Sequence, residues 1–254
     1  MSSKLKVLQV IPRLSYGGAE IGCYDLAHYL KEQKSSSFIA TSGGELLKYI
    51  DKKKVKLFRL PVHSKNPLLI LINIFILTFI VLFYKINILH VRSRAPAWSC
   101  YYVSKITRCK LVTTFHGTYN FNNSIKKYYN AIMLKSDCVI AGSNFIFSHI
   151  KEKYPEYVSR IKKFLVIFRG INTEYYDPDN VKESDRVKFS NFPYDLPWPA
   201  YSRERKLTLF FLQYLFKKRG FFPSISDFKP CKNTTVSLEL NLLFKIRNFL
   251  SFLK

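Results

Sequence analysis

The chain has 254 residues and a formal net charge of +24, with 41 lysines and arginines against 17 acidic residues. Apolar residues make up 48% of it and aromatic residues 16%, which excludes a disordered chain and provides ample material for a buried core. The charge favours an anionic partner, whether nucleic acid, a phosphorylated substrate or an acidic membrane surface. A codon bias toward Lys, Asn, Ile, Phe and Tyr would give the same charge. The lysines form no arginine-rich arm, so nucleic acid is only a minor alternative.

Apolar runs and helical patterns alternate up to about residue 170. The predicted strands are 7–11, 38–41, 55–60, 88–91, 111–115, 138–141 and 164–168. The predicted helices are 19–34, 45–53, 68–83, 95–107, one that Ser124 caps and one that Ser143 caps and that ends near Tyr154. Strict alternation of apolar strands with helices predicts an α/β fold, a Rossmann-like parallel sheet with helices on both faces.

Helical spacing also assigns residues to faces. In the first predicted helix, Cys23 and Leu26 fall on the core face and His28 falls on the polar face. In the fifth predicted helix, Ile125 and Tyr128 belong to the apolar face.

The third predicted helix, residues 68–83, is apolar apart from Asn73 and Thr78. It is shorter than the roughly 20 residues that cross a bilayer. A span would also place the strands before and after it on opposite sides of the membrane, against the continuous alternation of strands and helices. A buried or membrane-touching helix is therefore favoured over a span.

The cysteines have no metal-ligand spacing, and most stand in apolar segments, which indicates free thiols in a reducing cytoplasm. They are Cys23, Cys100, Cys109, Cys138 and Cys231. The apolar run that follows Lys6 contains Gln9 and ends at Pro12, which does not fit a signal peptide.

Glycine and polar residues follow the predicted strands at the edge where ligands bind in such sheets. They are Gly17–Gly18, Arg92–Arg94, His116–Tyr119, Ser143 and Arg169–Gly170. A strand, a glycine turn and a helix in that order present unpaired backbone N–H groups, and the missing Cβ permits a tight turn and the close approach of an anion. The full GxGxxG fingerprint is absent, so a plain turn at Gly17–Gly18 stays an alternative to a phosphate seat.

The chain resembles the N-terminal half of the retaining GT-B glycosyltransferases of family 4, and in particular those that build bacterial lipopolysaccharide and other surface glycans. The likeness runs from about Lys4 to Arg186 and is carried, in order, by VLQVIPRLSYGGAE, HVRSRAPAW, TTFHGTY, KKYYN, VIAGSNFI and VIFRGI. It implies an acceptor-binding domain over residues 1–186, facing across a cleft a second Rossmann-like domain that holds most of a nucleotide-sugar.

The resemblance also implies roles for residues. His116 corresponds to a histidine beside the transferred sugar, where a catalytic role by hydrogen bonding or electrostatics is expected. The residues implied to bind the donor phosphates are Gly17, Gly18, Arg169 and Gly170. Those implied to bind the acceptor are Arg92, Arg94, Gly117 and Tyr119. For the arginines, a solvated loop is the alternative, and for His116, an ordinary loop position. No metal and no cofactor besides the nucleotide-sugar substrate is implied.

The composition changes after about residue 186. Residues 187–254 hold many phenylalanines and few acidic residues, and they lack the basic pair and the Glu-x7-Glu pair that the family uses for the donor. An irregular or helical tail in place of the donor domain is expected, as in a truncated or frameshifted gene.

The expected function is glycosyl transfer, by an enzyme or by the remnant of one. A sugar would pass with retention from a nucleotide-sugar to a lipid-linked or cell-surface polysaccharide acceptor. The expected location is the cytoplasm, at the inner face of an anionic membrane. The alternative is a non-catalytic acceptor-binding domain from a decayed or split glycosyltransferase gene.

Overall fold

The computed structural model of the chain describes residues 5–168 and Gly170. The seven strands are β1 Lys6–Val10, β2 Ser36–Thr41, β3 Val55–Arg59, β4 Ile88–Val91, β5 Lys110–Phe115, β6 Cys138–Ala141 and β7 Phe164–Val166. The α-helices are α1 Gly18–Glu32, α2 Pro67–Tyr84, α3 Arg94–Thr107, α4 Ser124–Ala131, α5 Asn144–Lys153 and α6 Pro155–Val158. Two 3₁₀ turns lie at Glu45–Tyr49 and Ile132–Leu134.

The strands form one parallel sheet in the order β3-β2-β1-β4-β5-β6-β7. Helices cover both faces, as neighbouring residues of β1 show. Val7 packs with Leu26 of α1, whereas Leu8 belongs to the core cluster that contains Leu77 of α2. Successive side chains of a strand point to opposite faces, so α1 and α2 lie on opposite sides of the sheet. This confirms the predicted Rossmann-like architecture.

The helix α2 begins and ends on clear local signals. Asn66 accepts a hydrogen bond from the Leu68 amide at 2.9 Å through its side-chain Oδ1, and Pro67 occupies the first helical position. Lys85 ends the helix in the left-handed conformation, with φ 53°. Because β3 and β4 on either side of α2 belong to the same sheet, the helix does not carry the chain across a membrane.

Several local predictions were wrong. The predicted helix at 45–53 is the 3₁₀ turn Glu45–Tyr49. The cap of α4 is Asn123 instead of Ser124, and its Oδ1 accepts from the Lys126 amide at 2.8 Å. Ile125 and Tyr128 are exposed, and the buried residues of this segment lie at its end, from Asn130 of α4 to Leu134 of the following 3₁₀ turn. The Ser143 cap of α5 is confirmed, through a 3.2 Å bond from the Ile146 amide.

His28 is buried, although its spacing placed it on the polar face of the first helix. Its Nδ1 lies 2.9 Å from the Tyr24 carbonyl oxygen, and the Asp51 amide lies 3.4 Å from its Nε2. A carbonyl only accepts and an amide only donates, so Nδ1 carries the proton and the ring is neutral. Burial lowers the pKa of His28 accordingly.

The cysteines of the described residues are buried, namely Cys23, Cys100, Cys109 and Cys138, and the last three are free thiols. Burial raises the pKa of Cys109 to about 11 and that of Cys138 to about 12, so both stay protonated thiols and act as core residues. Cys231 lies outside the described residues.

Candidate functional site

The loops that carry the predicted site residues lie side by side. β1, β4, β5 and β6 are consecutive strands of the sheet, and their carboxyl ends share one edge. Gly17 follows β1, Arg92 follows β4 and His116 follows β5. Gly170 is exposed shortly after β7, and Arg169 lies outside the described residues. The structure therefore brings the residues of the first three loops to a single edge.

Gly17 caps α1, and the amide of Ile21 donates to its carbonyl oxygen at 2.8 Å. Its φ of −128° is extended backbone that any residue adopts, so the turn itself does not require glycine. A Cβ at Gly17 would fall 2.2 Å from Oε2 of Glu20. The carboxylate of Glu20 thus lies against the start of α1, where the helix dipole favours negative charge.

The position of the Gly17 turn depends on a second glycine pair, Gly43–Gly44, that follows β2. The amide of Leu14 donates to the Gly43 carbonyl at 2.7 Å, and the Leu46 amide donates to the Leu14 carbonyl at 2.9 Å. Gly44 has φ +137°, and a Cβ there would lie 2.3 Å from the backbone of Leu14. Here glycine is required by both conformation and space. From the sequence alone, Gly43–Gly44 only follows the predicted strand 38–41, with no indication of this contact.

Buried polar side chains form a row on the face of the sheet that α1 covers. Gln9 of β1 donates from Nε2 to the Cys23 carbonyl at 2.9 Å, which fixes α1 to the sheet. His90 of β4 is fully buried, with Nε2 2.8 Å from the Thr114 hydroxyl. Burial, with further contributions from the charges of Arg92 and His116, holds the pKa of His90 well below its ordinary value, so the ring is neutral.

Arg92 continues this row toward the edge. It is 4% exposed, and its Nε donates to Gln9 Oε1 at 3.1 Å. A Cβ on Gly22 of α1 would lie 3.4 Å from Arg92 Nη1, so the guanidinium fits beneath the helix where a side chain is missing. The solvated loop that was the alternative for this residue is excluded. The predicted acceptor contact of Arg92 remains a prediction.

The carboxyl group of Asp25 on α1 faces the same interior. Burial raises its pKa from 3.8 to about 6, and the positive charge of Arg92 opposes that rise. Compared with the unfolded chain, the folded chain favours the protonated acid, and the free energy of unfolding that this provides is lost as pH rises through about 4 to 6.

Asp25→Asn is expected to remove this pH dependence. At pH 7 the variant should be more stable than the unaltered chain by on the order of 2 kcal/mol, and near pH 4 the two should be about equal. Denaturant titrations of both proteins at the two pH values measure the difference. A difference that stays constant with pH would show that the Asp25 carboxyl is not shifted.

Arg94 and Tyr119 meet at the edge beyond β4 and β5. Arg94 is the first residue of α3, so it does not belong to the loop that was predicted over Arg92–Arg94. Its Nη1 donates to Asn130 Oδ1 at 2.8 Å, and its guanidinium lies 4.4 Å from the centre of the Tyr119 ring. Asn130 Nδ2 donates to the hydroxyl of Tyr154 at 3.2 Å. Arg94 is thus held in place while only partly buried, so it stands where an anionic ligand could reach it.

His116 and Gly117 line the open side of this edge. His116 is half-buried directly after the fully buried Phe115, and its charge contributes to lowering the pKa of His90. A Cβ on Gly117 would meet no atom within 4 Å, so there is open space beside the histidine. Among residues 5–168 and Gly170, no group of three or more His, Cys, Asp or Glu side chains could hold a metal ion.

The seven-stranded parallel Rossmann-like sheet matches one half of the GT-B glycosyltransferase fold. The sequence model of Glycosyltransferase Family 4 matches residues 16–175, and the chain belongs to this family. No curated protein matches the sequence significantly.

Solved structures agree with this assignment. The glycosyltransferase from Rickettsia africae ESF-5 is 34% identical, with a TM-score of 0.62 over 97% of this chain and 66% of that one. HepE from Anabaena, in complex with UDP and glucose, is 15% identical with a TM-score of 0.54, covering 73% of this chain and 49% of its own. Sucrose-phosphate synthase from Thermosynechococcus elongatus is 14% identical with a TM-score of 0.57, covering 76% and 54%. The last two show the shared fold, and this chain spans less than two thirds of all three proteins.

Proposed function

We propose that the chain acts in glycosyl transfer from a nucleotide-sugar to a lipid-linked or cell-surface glycan, with retention, on the cytoplasmic side of the membrane. The observation that carries this is the arrangement at the carboxyl edge, where the Gly17–Gly18 turn, Arg94 and His116 follow neighbouring strands in a family 4 chain. HepE, which has a similar fold, has been solved in complex with UDP-glucose, and this supports a nucleotide-sugar as the donor.

Each group has a proposed task at this edge. The backbone N–H groups at Gly17 and Gly18 approach the donor diphosphate, whose departure with negative charge is the event that needs stabilisation. Arg169 and Gly170 are proposed to reach the same phosphates. His116 hydrogen-bonds at the transferred sugar. Each of these groups interacts most strongly with charge that develops during transfer, which is the condition for catalysis.

The acceptor is proposed to bind between α3 and the loop after β5. Arg94 is the partly exposed cation there, with Tyr119 beneath it and open space at Gly117. Arg92 is enclosed by Gln9 and α1, so its proposed contribution is to hold the edge in place unless acceptor binding draws it out. An anionic acceptor, such as a phosphorylated or carboxylated glycan of the lipopolysaccharide kind, fits a guanidinium at this point.

A second candidate is a non-catalytic acceptor-binding domain. It is favoured by the absence of a Glu-x7-Glu pair from residues 187–254, where the family's donor half is expected. Under this proposal residues 1–186 are the acceptor domain, residues 187–254 are an atypical tail, and the donor groups come from another polypeptide.

Titration of the full chain with nucleotide-sugars separates the two candidates. Calorimetric binding of UDP-glucose or another nucleotide-sugar, with transfer of labelled sugar to a membrane extract, is expected for the transferase. Binding of a glycan from that extract with no nucleotide-sugar binding would support the acceptor-binding domain. Failure to bind either would contradict both proposals.

A further inference from the structure

The apolar residues of α2 point away from the protein. Its asparagine, Asn73, is buried, and its Nδ2 donates to the Pro61 carbonyl at 3.1 Å. Phe75, Phe79 and Phe83, spaced one helical turn apart, are exposed by 69%, 65% and 66%. A helix of a water-soluble domain has the opposite arrangement, with its polar residues outward.

The exposed stripe runs the full length of α2. Besides the three phenylalanines, it contains Leu68, Leu71, Ile72, Ile76 and Leu82. Only Asn73, Leu77, Ile80 and Val81 of the helix are buried. Contiguous apolar surface of this kind marks an interaction site. We call these eight exposed residues the α2 outer face.

Basic residues stand at both ends of the α2 outer face. From residue 52 to residue 136 the sequence contains 15 lysines and arginines and no aspartate or glutamate. Lys65 precedes the helix and Lys85 follows it. Lys56 stands 4.4 Å from the centre of the ring of Tyr84, the last residue of α2. An apolar stripe with basic residues at both ends complements an anionic lipid surface, where each lysine or arginine adds to the attraction.

We infer that the α2 outer face inserts into the interfacial region of an anionic membrane, with the helix lying along the surface. The helix is apolar enough to be a candidate span by length and composition. However, its 18 residues extend about 27 Å, short of the roughly 30 Å hydrocarbon core, and both flanking strands belong to one sheet. Lying in the interface satisfies both constraints, since the buried side of α2 keeps its packing on the domain.

The inserted helix begins beside the candidate acceptor site. Lys65, just before α2, lies 5.8 Å from the centre of the Tyr129 ring, which stacks on Trp98 with ring centres 5.9 Å apart. Trp98 is one turn along α3 from Arg94. The aromatic pair therefore connects the membrane surface to Arg94, and an acceptor anchored in the same leaflet would meet the site without leaving the membrane. This deepens the proposed location at the membrane, on which it rests.

Vesicle binding by the full chain tests the insertion. Wild-type protein should co-sediment with vesicles of phosphatidylcholine mixed with phosphatidylglycerol, more weakly as salt is raised, and poorly with phosphatidylcholine alone. The double variant Phe75→Ser/Phe79→Ser should bind at least about tenfold more weakly, because its inserted apolar area is lost. Ile125→Ser is the matched control, since Ile125 on α4 is 81% exposed but outside the α2 outer face, and it should bind as wild type.

Two further measurements test how deeply α2 inserts and whether a second copy of the chain, instead of a membrane, covers the α2 outer face. With brominated lipids, tryptophan fluorescence of Phe79→Trp should be quenched beyond that of wild type, and that of Ile125→Trp should not. Equal vesicle binding by the double variant and wild type, or equal quenching at both sites, would overturn the proposal. A dimer in sedimentation velocity that the double variant abolishes, without vesicle binding, would assign the face to a second copy. Neither outcome affects the nucleotide-sugar titration, so failure here is distinguishable from failure of the proposed function.

Discussion

Gly44→Ala is expected to lower the free energy of unfolding by about 4 kcal/mol, because it combines a conformation that L-residues rarely adopt with a steric clash. The residue has φ +137°, and its new Cβ would lie 2.3 Å from the backbone of Leu14. Backbone atoms cannot rotate away as a side chain can. The loop after β1 must therefore shift, and with it the Gly17–Gly18 turn that the loop carries.

Gly43→Ala is the matched control for this change. Gly43 has φ +143°, but a Cβ there would meet nothing within 4 Å, so the variant carries the strain without the clash. A loss of about 2 kcal/mol is expected. Denaturant titrations give both values, and their difference measures the contact with Leu14. Equal losses for the two variants would show that the turn does not hold the loop after β1.

Arg92→Met is expected to lower the free energy of unfolding by about 3 kcal/mol. Methionine preserves much of the volume but leaves Gln9 Oε1 without its 3.1 Å donor in a buried place. It also removes the positive charge that opposes the rise of the Asp25 pKa. Both effects weaken the attachment of α1 to the sheet.

Arg94→Met, two residues further along the chain, separates stability from ligand binding. Arg94 is partly exposed and its Nη1 donates to the side-chain amide of Asn130, so a loss of about 1 kcal/mol is expected. Binding of an anionic acceptor should fall much more in Arg94→Met than in an Arg92→Met protein that is still folded. A larger loss of stability in Arg94→Met than in Arg92→Met, or a larger loss of acceptor binding in Arg92→Met than in Arg94→Met, would contradict the roles assigned to the two arginines.

The sheet could be predicted from the sequence because its strands are short apolar runs between helical patterns. β4 and β6 lie at the predicted bounds, 88–91 and 138–141. The edge that carries the candidate site followed from the same alternation, since parallel strands bring their carboxyl ends together. The local spacing of apolar residues was therefore enough to predict the sheet and to predict which loops lie next to one another at its carboxyl edge.

The parts that could not be predicted depend on partners distant in the sequence. The burial of Arg92 results from Gln9, 83 residues earlier, while the charge of an arginine ordinarily indicates the surface. The role of Gly44 arises from the backbone of Leu14. The exposure of the α2 phenylalanines could not be predicted from the sequence, because a helix that is apolar on every side has no periodicity that distinguishes its faces.

In the proposed function, the carboxyl edge of the sheet receives the phosphates of a donor at Gly17–Gly18. Titrating the ¹⁵N-labelled full chain with pyrophosphate, the group shared by nucleotide-sugar donors, tests it directly through backbone amide shifts. The largest shifts are expected on Gly17, Gly18 and the residues that follow His116. Largest shifts at the opposite edge, around Lys105 and Lys135, with none at Gly17–Gly18, would contradict it.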